Sequence, residues 1–300
     1  METLMSVQNQ TYKTWECIIV DDFSTDNTLT VIHEKLSNDE RFIVLTNKRT
    51  KGAQGSRNTG VEHSKGDYLI FLDSDDLISK DCLSNRVLKF QEHREFDFLV
   101  FSTVEFKEAI DDTNVLVNVC TKENMLERFL NLDIPWLIMA PIWRRDSFLR
   151  LGGFNEEVRS WQDWELHIRA VFSNYTFMYF SIVDNFYRCS NKVVSVGDVA
   201  VNNSEHVRSH LKTCNALKIT MKDNASYLSR LNGLIYWLGE RSLEHGDVET
   251  AKQAIISSHE DLHWVKRVIN IYGLLLLKKL LIPHPRLPDF GTYRKIMFQC

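Results

Sequence analysis

Four continuous apolar runs do most to limit what this chain can fold into. They lie in WECIIVDD, RFIVLTN, DYLIFLD and FDFLVF. None alternates apolar with polar residues, so each suits a strand buried on both faces. The segments between them read as helices. In STDNTLTVIHEKLSN, Leu29, Ile32 and Leu36 share one helical face behind the capping residues Ser24 and Thr25. KGAQGSRNTGVEHSKG is a glycine-punctuated loop leading into a short helix, and a further helix is predicted from about Ser79 to His93. This alternation predicts an α/β fold, with a mostly parallel central sheet and helices on both faces.

Acids follow two of the runs. Asp21 and Asp22 end the first; Asp73, Asp75 and Asp76 follow the third, in GDYLIFLDSDDLIS. Open α/β sheets bind ligands beyond the carboxyl ends of their strands. Neighbouring strands would therefore bring all five acids to one crevice. Clustered carboxylates raise one another's pKa unless a cation is shared. Mg2+ or Mn2+ takes one or two carboxylates together with substrate phosphates, and would carry a nucleotide diphosphate into an acidic cleft. The competing reading is a solvated turn in which Asp75 or Asp76 caps the next helix. An EF-hand is excluded, because DSDDLISKDCLS lacks the required glycine and terminal glutamate.

Composition removes other classes. At 300 residues and 44% hydrophobic content, the chain can bury a sizeable core. A net charge of −4 argues against a nucleic-acid binder, although residues 262–300 carry seven Lys/Arg against one Asp. The six cysteines form no CxxC pair, so zinc and thioredoxin-like readings have no support. Cys17 reads as core filler and the thiols as reduced. No run of about 18 apolar residues occurs, so no spanning helix is expected.

Four stretches then occur in order: NQTYKTWECIIVDDFSTDNT, KGAQGSRNTGVEHSKGDYLIFLDSDD, LRLGGFNEE and WQDWELHIRA. Together they resemble the family 2 inverting glycosyltransferases of the GT-A fold, over roughly residues 3–190. The resemblance implies a nucleotide-diphosphate sugar donor, UDP by preference, and Mn2+ or Mg2+ as cofactor. It implies that Asp22 hydrogen-bonds the base and that Asp73 and Asp75 contact ribose and metal-bound diphosphate, with Asp76 as an additional contact. It sets Arg57, in GSRNTG, near the nucleotide. It makes Asp163 the general base that deprotonates an acceptor hydroxyl, preceded by Gln162. Asp21 and Trp161 complete the candidates.

The helix of SWQDWELHIRAVF has Trp161, Trp164, Ile168, Val171 and Phe172 on one face, with Asp163 off it in the first turn. A helix N-terminus lowers an Asp pKa, so Asp163 is expected to be ionised at neutral pH. The bland reading is a well-placed acid at a helix end. The turn at Gly152–Phe154 would shape the acceptor floor. Trp136, Trp143, Trp161 and Trp164 either offer faces to sugar rings or fill the core.

The expected domains are residues 1–195, the transferase domain with a nucleotide half of about 1–105 and an acceptor half of about 106–195, and a helical region 196–300. The family begins with a buried strand of the type VSIIIPxYN, whereas METLMSVQNQTY starts inside the helix that follows it. The expectation is a missing central strand, with unpaired edges on its neighbours. Hence a second reading: a truncated, inactive relative acting as a binding or scaffolding protein. A third is metal-dependent phosphoryl transfer. With no QxxRW motif, single addition is expected over polymerisation. The basic amphipathic stretch 262–282 suits peripheral contact with an anionic membrane. The implied setting is cytoplasmic, with a glycan or lipid-linked acceptor in cell-surface polysaccharide or glycolipid synthesis.

Overall fold

The apolar runs become strands, and what happens at their ends decides the site. The computed structural model describes residues 1–117, 124–189 and 204–258. Helix α1 (Glu2–Gln8) leads into β1 (Cys17–Asp21), α2 (Thr28–Leu36), β2 (Phe42–Thr46), α3 (Ala53–His63) and β3 (Tyr68–Leu69). Next come β4 (Leu77–Ile78), α4 (Cys82–Glu92), β5 (Phe98–Phe106), β6 (Val115–Leu116), α5 (Met125–Leu130) and β7 (Pro141–Arg144). Helices α6 (Arg145–Leu151) and α7 (Gln162–Phe172) precede the long strand β8 (Phe177–Arg188), and α8 (Ser204–Thr220), α9 (Ala225–Glu244) and α10 (Val248–Ser258) follow.

Helix α2 begins later than its sequence suggests. Ser24 and Thr25 do not cap it. The Ser24 N–H is held by the Asp21 carboxylate, and Asp26 Oδ1 accepts the Thr28 N–H at 3.0 Å. The acids at the end of β1 have captured the capping residue. Ile32 and Leu36 are buried, as their spacing predicts.

The main sheet runs β3-β7-β5-β8-β4, with β6 beside β5. Strand β5 lies parallel to β8 over nine paired positions, with register shifts either side of Ser102. The other pairings in this sheet are antiparallel and short. Phe98 anchors the core, stacked on Trp143 at 4.1 Å and on Phe177 at 5.1 Å. Strands β1 and β2 form a separate parallel pair. Among the described residues β1 pairs with β2 alone and β3 with β7 alone. One polar tie joins the two sheets: Glu16 Oε1 accepts the N–H groups of Lys65 at 2.5 Å and Gly66 at 2.9 Å. Ile18, Ile19 and Val20 are only half-buried, despite the apolar run.

The carboxy-terminal helices do not form a core of their own. Val207, Leu211, Cys214 and Leu217 of α8, and Leu231, Ile235 and Leu238 of α9, pack in one cluster with Trp164 and Ile168 of α7. Gly239 lets α9 approach α10, since a Cβ there would stand 3.0 Å from that of Ala254. Gly246 follows the end of α9 in a left-handed conformation, at φ +80. Among the described residues no helix is long and apolar enough to cross a membrane. The basic stretch 262–282 lies outside the described residues.

Candidate active site

Asp22 is locked at the end of β1. Its two oxygens accept from Asn47 Nδ2 at 2.7 Å and from the Gly52 N–H at 2.8 Å. Asn47 is itself buried, and its Oδ1 accepts from Thr59 and from the Arg49 N–H. Gly52 has φ +126, a conformation that favours glycine. Gly55 is packed so tightly that a Cβ would fall 1.8 Å from the Thr50 carbonyl oxygen. The 47–52 loop therefore presents Asp22 in one fixed orientation.

The three acids after β3 separate into different environments. Asp73 pairs with the Arg57 guanidinium, which also lies 5.3 Å from the Phe154 ring centroid. Asp75 is exposed. Asp76 is buried and accepts the Arg188 N–H of β8 at 2.8 Å. Burial, with help from Asp73 and Asp75 and against the Arg188 hydrogen bond, raises its pKa to about 8. Neither Asp75 nor Asp76 caps α4, which starts at Cys82. Asp21 is buried and spent on Ser24. The crevice thus gathers fewer acids than the strand ends suggested.

Among the described residues no three His, Cys, Asp or Glu side chains stand close enough to hold a metal by themselves. Asp73, 42% exposed at its side chain, and exposed Asp75 remain as oxygen donors. Two such carboxylates fit a hard divalent ion that brings phosphate ligands with it, rather than an all-protein cage.

Asp163 stands in the first turn of α7, half-buried. Its carboxylate accepts the Trp164 N–H at 2.9 Å. Burial raises its pKa; Arg57 opposes this and Asp73 adds to it. The expected lowering is therefore not found: lost solvation outweighs both Arg57 and the Trp164 N–H hydrogen bond, which act to lower it. Arg57, Asp73 and Asp163 share one electrostatic neighbourhood, so the structure brings together residues from α3, the β3 exit and α7. Gln162 points away, donating to the Arg159 carbonyl at 2.9 Å. Trp136, Trp143 and Trp164 are buried in the core. One face of Trp161 is covered by His210.

Two residues that sequence reading passed over hold the site's halves together. Asn58 makes a reciprocal pair with the Phe154 backbone, each bond 2.9 Å, and donates to Glu156 at 2.8 Å. Glu156 also receives Arg49 Nε at 2.5 Å and the Thr50 N–H at 3.2 Å. Burial alone would raise its pKa; bonds from Asn58, Arg49 and Thr50 outweigh this and hold it at about 2. Both flank motifs already noted, in SRNTG and GGFNEE, but nothing in one sequence links positions about a hundred residues apart. The Gly152–Gly153 turn, at φ +91 and +71, is clamped from behind by Arg169, which donates to the Leu151 and Gly153 carbonyls and pairs with Glu165.

Comparisons with known proteins bear on the family and the fold. Residues 1–147 match the model described as glycosyl transferase family 2. The chain is 44% identical over 75 residues to an Escherichia coli protein, UDP-Glc:alpha-D-GlcNAc-diphosphoundecaprenol beta-1,3-glucosyltransferase WfgD, covering 25% of this chain and 29% of that one. The chain spans 29–38% of the lengths of three curated relatives that it matches. The fold is that of S. aureus TarS residues 1–349 with UDP-GlcNAc, at TM-score 0.61 and 18% identity over 87% of this chain and 78% of that one. The mannosyltransferase PcManGT of Pyrobaculum calidifontis, in complex with GDP-Man and Mn2+, gives a TM-score of 0.54 at 17% identity over 93% and 75%. The chain shares the GT-A fold of these structures.

Proposed function

Residues 1–147 belong to glycosyl transferase family 2, and on that premise we propose that the chain moves a sugar from a UDP-sugar to an acceptor hydroxyl, with inversion at the anomeric carbon. The observation that carries this reading is the meeting of Asp73 and Asp163 about Arg57. The acceptor oxygen attacks the anomeric carbon as the bond to the diphosphate breaks. UDP leaves with the electron pair, and the hydroxyl proton passes to the Asp163 carboxylate. A burial-raised pKa makes Asp163 a stronger base than a solvated aspartate. Arg57 favours its ionised form until the proton arrives. A bound diphosphate gives the same guanidinium a second anionic partner. Asp22, fixed by Asn47 and Gly52, is assigned to the nucleotide base.

A divalent cation, Mn2+ or Mg2+, would be held by Asp73 and Asp75 and would neutralise charge on the leaving diphosphate. The Mn2+ complex of PcManGT and the UDP-GlcNAc complex of TarS support that pairing of metal and donor. The name of WfgD supports a lipid-linked glycan acceptor, and with it a role in cell-surface polysaccharide synthesis at the cytoplasmic face of a membrane.

The second reading is a non-catalytic relative that acts as a binding or scaffolding protein. Calorimetric titration of UDP with and without Mn2+, repeated on Asp75→Ala, decides between them. Binding that requires Mn2+ and disappears in the variant supports the transferase. Absence of UDP binding under every condition favours the binding-protein reading. For the base, Asp163→Asn should keep UDP affinity and lose turnover by about 10²–10⁴-fold.

A further inference from the structure

We propose that helix α8 is part of the catalytic apparatus: His210 and Ser209 hold the Glu157–Trp161 segment and so set where Asp163 stands. The proposal rests on the assignment of Asp163 as base. Helix α8 lies beyond the residues that match the family model.

Trp161, immediately before α7, has φ +58. A left-handed backbone is unfavourable for a residue with a side chain, and it persists where the surroundings over-determine it. Here the indole is stacked on the His210 ring, centroids 3.8 Å apart and 14° from parallel, with Trp164 on a tilted approach at 5.6 Å. His210 Nε2 also hydrogen-bonds Ser160 Oγ, both residues being buried. One turn earlier in the segment, Ser209 Oγ accepts the Arg159 N–H at 3.0 Å and donates to the Glu157 carbonyl at 3.2 Å. The Trp161 carbonyl accepts the Glu165 N–H at 3.0 Å, closing the first helical turn around Asp163.

The hold is rigid from the other side too. Val207 and Cys214 of α8 are fully buried in the cluster that contains Trp164. The Arg159–Glu205 pair, about 60% exposed on both partners, adds little. His210 supplies the stacked face against which Trp161 is held at positive φ; losing it favours a return to negative φ, which would re-aim the start of α7 and its carboxylate. His210 and Ser209 touch no reacting atom. They are positioning residues.

The test reads UDP release from UDP-glucose, UDP-galactose and UDP-N-acetylglucosamine, with kcat expressed per UDP-binding site counted by calorimetry. His210→Ala should lower kcat per site about 10–100-fold, as a misplacement near 1 Å does, while KM for the donor and the UDP Kd stay within about twofold. His210→Phe restores the stack and should recover most of the rate. Ser209→Ala should act in the same direction, and it replaces His210→Ala if that variant does not fold. A purely structural role would reduce the number of UDP sites and leave kcat per site unchanged, which overturns the proposal. Full activity of folded His210→Ala beside an inactive Asp163→Asn overturns the proposal alone. No UDP release by the unaltered chain, or full activity of Asp163→Asn, overturns the base assignment and this inference with it.

Discussion

Replacing His167 with phenylalanine should flatten the acid side of the stability curve. His167 lies in α7, fully buried, with Phe129, Trp136 and Trp143 around it at centroid distances of 5.7, 5.7 and 6.3 Å. Neither ring nitrogen has a hydrogen-bond partner. Burial lowers its pKa from 6.5 to about 3. Between those values the unfolded chain binds a proton that the folded chain refuses. Stability is therefore complete above the unfolded pKa and falls as pH drops towards 3. At about 1.4 kcal/mol per pH unit, the 1.5 units from pH 6.5 to pH 5 cost about 2 kcal/mol. Phenylalanine removes that cost. Urea unfolding followed by circular dichroism at pH 7 and pH 5 measures it. The variant should lose about 2 kcal/mol less than the unaltered protein over this interval. His210, also lowered to about 3, and Asp76 act alike in both proteins and cancel. An equal loss in both proteins would mean that His167 takes its proton without unfolding the core, and the reasoning would be wrong.

Arg57→Ala removes the cation between Asp73 and Asp163, and should weaken UDP binding about tenfold by calorimetry, the equivalent of one charge-assisted hydrogen bond. Glu156→Gln keeps the shape but not the charge that Arg49, Thr50 and Asn58 share. It should cost about 1–2 kcal/mol at neutral pH; because the folded pKa is lowered from 4.5, the deficit against the unaltered chain should shrink as pH falls through 4.5 towards 2 in thermal melts. Gly55→Ala must push the Thr50 carbonyl aside, since its Cβ would lie 1.8 Å away. The variant should melt lower and bind UDP at least about tenfold more weakly, because the displaced loop carries Asn47 and Gly52.

What was legible in the sequence was whatever depends on neighbours a few residues apart. The apolar runs named β1, β2, β3 and β5 but not β4, β6, β7 or β8, and the 3.6-residue spacing named α2 and α7. The acids at strand ends singled out the region described above as the candidate site. Their individual roles were hidden, because those depend on distant partners. Asp76 is buried by β8, whose Arg188 is more than a hundred residues away, and Asp21 is consumed by the loop it begins. The sign of the Asp163 shift failed for a related reason. A helix end is local, whereas the burial that defeats it comes from packing across the molecule. The hold of α8 on the base segment carries no motif, only a histidine ring and a serine on one helix face.

The separation of β1 and β2 from the main sheet bears on how the molecule breathes. A two-stranded ribbon with half-buried Ile18, Ile19 and Val20 is less buried than β5, and it can open while β5, almost entirely buried, stays shut. Amide exchange in β1 should therefore run through local opening and outpace that of β5. Asp22 sits on this same ribbon, so a ligand seated there closes it. At a hundredfold excess over Kd, occupancy contributes about 2.7 kcal/mol. On the proposed function, the supply of donor would then also govern how long this ribbon survives proteases.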